Sequence, residues 1–263
     1  MTLFRDPRFL IAPVLLIFSL FTMGCGSSSD LKVPTGSDSA AISHNMYNVL
    51  LNKHVSEKGN VNYKGFIEDR EPFEEYLDLL AEMPPSDSWS EDEKLAYWIN
   101  AYNAFTIKLI IEHYPIESIE ELHPTLYIPG VRSVWHKKFF SIGGVEMNLN
   151  DIEHEILRKQ FEELRIHFAI VCASKSCPKL LNEAYVADKL EEQLTAQVKG
   201  FLADDFRNKI STDKVELSKI FSWFKEDFTK DGSLIDFVDQ YTEIQINEDA
   251  DISYLKYDWG LNE

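Results

Sequence analysis

Residues 91–113 constrain the fold more than any other stretch. The run LAYWINAYNAFTIKLII, from Leu95 to Ile111, puts apolar side chains on nearly every face of a helix. A helix that is apolar all round must be enclosed by the rest of its domain. Ser90 and Glu93 have the spacing of a capping box, in which each side chain satisfies a backbone donor left free by the first turn. Pro115 closes the element. Seventeen Phe, eleven Tyr and five Trp supply enough bulk to surround it. Asn100 and Asn103 interrupt this helix three residues apart and share a stripe with Ala96 and Ile107. Each buried amide left without partners costs about 1–3 kcal/mol. Something polar must therefore face that stripe, either the backbone of a neighbouring loop or a site.

The N-terminus is set aside before the fold is read. Arg5 and Arg8 precede an apolar run, Phe9 to Met23, which ends at Thr22-Met23-Gly24-Cys25. The run is short for a membrane span, which takes about 20 residues. It resembles a bacterial lipoprotein signal, with Cys25 as the lipidated residue. The alternatives are an ordinary secretory signal or an uncleaved anchor. Residues 1–24 are thus read as the signal, 25–40 as a flexible polar tether, and 41–263 as one domain. Gly26 follows Cys25 where an Asp would favour retention at an inner membrane, so the expected location is the cell envelope, with the outer membrane favoured. The formal net charge of −18 repels phosphate backbones and excludes nucleic acid as a partner.

Within the domain, Met46, Val49, Leu50 and Val55 suggest a helix, and Asn60 to Tyr63 an extended piece. Phe73, Tyr76, Leu77 and Leu80 recur at helical spacing up to Pro84-Pro85. Gly143-Gly144 between Lys138–Ile142 and Val145–Leu149 predicts a hairpin, because both turn positions need positive φ. A helix is expected over 151–161, capped by Asn150 with Glu153 reaching back. It sets His154 and Arg158 on one face. Ile166–Cys172 reads as a buried strand, with His167 and Cys172 on opposite sides. A helix over 183–204, a second hairpin around Asp213, two short helices near 219–229 and 233–241, and a last strand within 252–257 follow.

Four blocks now in hand resemble one family, the domain of unknown function 547. They are AYWINAYNAFTI, LNDIEHEILR, IHFAIVCASKSCPKL, and LSKIFSWFKEDF with the closing YDWGLN. The resemblance implies an α/β domain and no agreed activity. Gly260 stands where a Ser or Thr is expected.

A cysteine beside a histidine is the minimum for thiolate chemistry, with a third group to orient the base. Cys172, His154 and Asn100 are the candidate catalytic set, and Asn103, Glu153, Arg158, His167 and Lys175 the candidate binding residues. His154 with Arg158 can hold a small anion, and a salt bridge from Arg158 to the acidic surface is the reading placed ahead of it. The opposing reading is a structural Cys172–Cys177 disulfide, which an exported protein would keep and which would consume the nucleophile; a redox-active pair is the third. C-x4-C fits neither the common zinc spacings nor a C-x-x-C redox motif. Glu153 and His154 are adjacent and diverge on a helix, and no glycine-rich phosphate loop is present, so neither metal nor cofactor is expected.

The expected fold is α/β (α+β), a single helix-rich domain with a long buried central helix packed on a small mixed sheet. The function placed first is a cell-envelope lipoprotein, membrane-anchored at Cys25, that binds a small anionic ligand or an envelope protein with its cysteines bridged. The alternative is a thiol-dependent hydrolase or acyltransferase using Cys172 with His154.

Overall fold

A computed structural model describes residues 31–129 and 132–263. The expected signal, Cys25 and the tether up to residue 30 lie outside the described residues, while residues 31–40 of the expected tether are described. Among the described residues no helix is long and apolar enough to cross a membrane.

The enclosed helix is α4, Glu91–His113. Ser90 Oγ accepts from Glu93 N at 3.2 Å, and Ser90 N donates back to Glu93 Oε2 at 2.7 Å. Every residue from Leu95 to Ile107 is buried, so the all-round apolar pattern has its predicted consequence. Around α4 stand α1 (Asn45–His54), α2 (Tyr63–Glu68) and α3 (Arg70–Glu82). Phe73, Tyr76, Leu77 and Leu80 are the buried face of α3. The extended piece expected at 60–63 is only a bridge, Val55 to Val61, because Tyr63 already opens α2 under an Asn62 cap.

Strands β1 (Phe140–Ile142) and β2 (Val145–Met147) form the Gly143-Gly144 hairpin in antiparallel register. Both glycines sit at positive φ, 56° and 76°, as the turn demands. The hairpin meets α4 through Phe105, stacked on Phe140 with centroids 3.9 Å apart.

A second apolar cluster lies beyond α4. It is built from α6 (Leu190–Leu202), β3 (Lys209–Ile210), β4 (Lys214–Leu217), α7 (Ile220–Trp223), α8 (Lys225–Phe228), α9 (Leu234–Asp239) and β5 (Asp251–Tyr254). β3 pairs antiparallel with β4, and β5 adds parallel on its other side. The mixed sheet belongs to this cluster, while α4 packs on helices and the β1–β2 hairpin. Phe168, fully buried against Phe201, Phe221, Phe228 and Phe237, heads the second cluster from the segment that leads to Cys172.

Two expected elements differ. Residues 151–161 are a π-helix, Asp151–Leu157, running into a short α5, Arg158–Gln160. Its start is fixed two residues earlier than expected: Asp151 N donates to Asn148 Oδ1 at 2.8 Å and Asn148 N to Asp151 Oδ2 at 3.1 Å, while Asn150 makes no side-chain cap. The stretch 166–172 is not a strand. Leu164–Phe168 is a 3-10 helix, and the chain then runs irregularly to Cys172. The 183–204 helix begins only at Leu190, after a 3-10 turn at Ala187–Lys189.

Candidate active site

The missing strand partner explains Asn103. Its Nδ2 donates to Ala169 O at 2.9 Å and its Oδ1 accepts from Val171 N at 2.9 Å. One amide side chain pairs with the backbone as a neighbouring strand would, satisfying both groups inside the core. Asn100 does the same for Tyr185, donating to its carbonyl at 2.8 Å and accepting from its N–H at 3.0 Å. The expected roles for these two residues are therefore corrected. Both ends of each amide hold buried backbone, and neither Asn100 nor Asn103 lines the cleft that holds the cysteines.

Asn103 delivers the chain to Cys172, where a tight loop starts. Ala173 takes φ 60°, a left-handed conformation that a residue with a Cβ rarely adopts. Such strain is often found at functional sites. The loop is held from two sides. Lys175 N donates to Gly260 O at 2.8 Å, Asp258 N to Ser176 Oγ at 2.8 Å, and Asn262 N to Ala173 O at 3.1 Å. Arg207 donates from Nε to Cys177 O at 2.6 Å and from its terminal nitrogen to Lys175 O at 2.8 Å. The closing YDWGLN segment is thus the loop's backbone partner.

Among the described residues, Cys172 and Cys177 are free thiols, and the expected disulfide is not formed in this structure. Their sulfurs stand 2.9 Å apart in hydrogen-bond contact. Cys172 Sγ also meets Ser174 Oγ and Tyr257 Oη, each at 3.2 Å. Burial opposes ionisation of Cys172, but the bonds from Cys177, Ser174 and Tyr257 outweigh it and bring the thiol down to about 7. Burial, reinforced by its neighbour Cys172, pushes Cys177 well above the ordinary thiol range.

The thiols open on a cleft of about 410 Å³. Trp135, Trp223, Tyr257 and Trp259 form an aromatic wall, with Trp223 and Trp259 stacked at 5.7 Å. Glu153, His154 and His167 share the lining. The π-helix places the first two. Its wider turn, closed by Arg158 N donating to Glu153 O, carries Glu153 toward Tyr102 of α4, whose hydroxyl donates to Glu153 Oε2 at 3.2 Å. π-Turns recur at functional sites for this kind of re-aiming. Burial pushes the Glu153 carboxyl up to about 7; the Tyr102 hydroxyl opposes this and the nearby Cys172 sulfur adds to it.

His154 and Arg158 share a face as their spacing predicts, but neither role follows as expected. Arg158 grips Asp227 of α8 with Nε at 2.6 Å and a terminal nitrogen at 2.7 Å, and donates from its other nitrogen to His154 Nδ1 at 2.9 Å. All three guanidinium nitrogens are engaged, the charge is paired with Asp227, and Arg158 does not line the cleft. Among the described residues lining the cleft none is a lysine or arginine. Burial and the Arg158 charge lower His154 to about 4, which makes it a poor acceptor for a thiol proton. Its neutral ring accepts through Nδ1 and carries its proton on Nε2. Cys172 Sγ is hydrogen-bonded to no histidine among the described residues.

Asp227 also accepts from His167 Nε2 at 2.8 Å. The bond from His167, then those from Arg158, hold this carboxyl well below the usual range against the pull of burial. His167 is stacked on Phe224 at 4.1 Å, and burial keeps it neutral despite the carboxylate. Its Nδ1 is buried with no hydrogen-bond partner among the described residues. The strand reading had placed His167 away from the sulfur; the 3-10 helix instead brings it into the cleft. Lys175 goes the other way. It is exposed and lines a separate cleft with Lys58, Lys179 and Arg207, so it does not join the thiol site.

Residues that the sequence reading left out of the site are Asp227, Tyr102 and Tyr257. Asp227 and Tyr102 already stood in the quoted blocks, and Tyr257 opens YDWGLN.

Residues 86–202 match the family described as "Protein of unknown function, DUF547". The resemblance seen in the sequence holds over that stretch, which takes in the first three blocks and ends before LSKIFSWFKEDF. No curated protein and no solved structure matches the chain.

Proposed function

We propose that the protein is a thiol-dependent acyltransferase or hydrolase with Cys172 as nucleophile. The observation that carries this reading is the convergence of Cys177 Sγ, Ser174 Oγ and Tyr257 Oη in hydrogen-bond contact with Cys172 Sγ at a cleft shared with Glu153. A thiol at about 7 and a carboxyl at about 7 give a nucleophile and an acid together near neutral pH. The Cys172 thiolate attacks a carbonyl carbon, and the π electrons move to oxygen. Collapse expels the leaving group, which takes the proton from Glu153, and leaves a thioester. Water or an acceptor alcohol or amine then attacks, Glu153 takes its proton, and the thiolate departs. Glu153 rather than His154 moves the proton, because an imidazole at about 4 is too weak a base. His154 Nε2–H is a donor for the carbonyl oxygen or the leaving group. With no lysine or arginine among the described lining residues, the favoured substrate is a neutral acyl compound with an apolar face for the tryptophan wall.

Export and lipid attachment at Cys25 belong to the same proposal. They are supported by the Phe9–Met23 run and the Gly24-Cys25 junction. The substrate is then a cell-envelope molecule, and the membrane is a partner through the lipid. Labelled palmitate should enter the wild type and not Cys25→Ala; equal labelling refutes the anchor.

The activity is tested in two steps on reduced protein. The iodoacetamide rate at Cys172 should rise with pH through a midpoint near 7, and Tyr257→Phe should move that midpoint upward. A chromogenic acetyl ester should give a burst of about one equivalent per chain with a thioester on Cys172, and Cys172→Ala should give none. No burst, with a thiol that ionises only near its ordinary value of about 8.5, overturns the reading.

A further inference from the structure

Cys177 does more than the proposed chemistry requires of it. We infer that Cys177 is a resolving thiol: a low-molecular-weight disulfide converts Cys172 and Cys177 into an internal disulfide, and a dithiol reductant reverses it. The inference rests on Cys172 being the accessible nucleophile of the pair, as proposed above.

The two sulfurs are already 2.9 Å apart. A disulfide bond is about 2.05 Å long, so closure takes a shift of less than an ångström. The backbone around them is held: Cys172 N–H donates to Cys177 Sγ at 2.8 Å, Cys177 N to Ser174 O at 3.2 Å, and Arg207 to Cys177 O at 2.6 Å. A buried cysteine that only fills space behaves as a small apolar side chain and has no reason to meet a second sulfur. Here the buried thiol points at the more exposed sulfur of the pair.

The pair is also asymmetric in the way exchange requires. Cys172 is half-buried at the cleft, while Cys177 is 3% exposed. An external disulfide therefore reaches Cys172 first. The thiolate attacks one sulfur of RSSR, an S–S bond forms to Cys172, and RS⁻ leaves and takes up a proton. Cys177 then loses its proton and attacks the Cys172 sulfur, expelling the second RS⁻. The sum is two protein thiols and RSSR giving one protein disulfide and two RSH, with two electrons passing to the external disulfide. The closed form has no nucleophile, so the cleft is switched off until reduced.

The test uses the reduced full chain and glutathione disulfide, with peptide mapping so that Cys25 is counted apart. The wild type should lose alkylation at Cys172 and Cys177 together, without a bound glutathione, and a dithiol should restore both. Cys177→Ser and, as a second check on folding, Cys177→Ala should stop at a glutathione adduct on Cys172. A wild type that accumulates the same adduct, or keeps both thiols alkylatable, overturns the inference. The readout is independent of acyl transfer. Closure without an ester burst in the reduced protein leaves the redox pair and removes the enzyme reading; a burst without closure does the reverse.

Discussion

Asn103→Ala is the sharpest test of how the site is held. The substitution removes the bonds to Ala169 O and Val171 N, at 2.9 Å each, and leaves both backbone groups buried. Asn103 itself is 2% exposed, so water cannot take its place without opening the core. An unpaired buried donor or acceptor costs about 1–3 kcal/mol, so the pair should cost about 2–5 kcal/mol. In a domain of this size each kcal/mol lowers the melting temperature by about 2–4 °C. Asn100→Ala is the matched control, because it breaks an equivalent pair of bonds to Tyr185, away from the cysteine loop. Both variants should lower the urea midpoint by similar amounts. Only Asn103→Ala should also shift the pH midpoint of Cys172 alkylation, since only its partners lead into that loop. The reasoning fails if Asn103→Ala costs under about 1 kcal/mol, or if the control disturbs the thiol as much.

Two further outcomes follow from the charges. His44 and His154 are both lowered to about 4, chiefly by burial, and His167 is lowered by the same cause. In the unfolded chain each titrates near 6.5, so between about 6.5 and 4 the unfolded state binds more protons and stability is lost on acidification. Glu153, raised to about 7, acts in the opposite sense over about 4.3–7, but it is one group against three. The urea midpoint should therefore fall steadily from pH 6.5 to 5; a flat or rising midpoint contradicts neutral buried imidazoles. Asp227→Ala should cost about 2–4 kcal/mol, since the side chains of Asp227 and Arg158 are only 20% and 28% exposed and Arg158 would be left unpaired. In a double-mutant cycle with Arg158→Ala, measured by urea unfolding, the combined loss should fall at least about 1 kcal/mol short of the sum; additivity would refute the pairing.

The parts of the fold that local chemistry dictates were legible. The α4 boundaries follow from Ser90, Glu93 and Pro115, and the hairpin from Gly143-Gly144. The pairing of His154 with Arg158 follows from a spacing of four. Residues 166–172 were misread for a physical reason. A short β-branched apolar run marks a buried backbone, and a buried backbone needs hydrogen-bond partners. A strand neighbour is the usual supplier, but here the Asn103 amide takes that place at Ala169 and Val171. The polar stripe on α4 and the partnerless run were one fact, seen in the sequence as two.

The site was legible only in its contents, because its geometry comes from contacts between distant segments. Asp227 lies 69 positions from Arg158 and 60 from His167, yet it fixes both. Without it, Arg158 would be a free cation beside His154, and the anion site expected from sequence would be sound. With it, the guanidinium is paired with a carboxylate, and burial keeps His154 and His167 neutral. The same substitution of an internal partner for a ligand runs through the molecule: amides hold backbone, Asp227 holds Arg158, and the closing segment holds the cysteine loop. At one cleft meet the Cys172 sulfur, the Glu153 carboxyl and the His167 Nδ1, which has no partner among the described residues. Polar groups gathered at one apolar-walled opening are where a reacting substrate would find its partners.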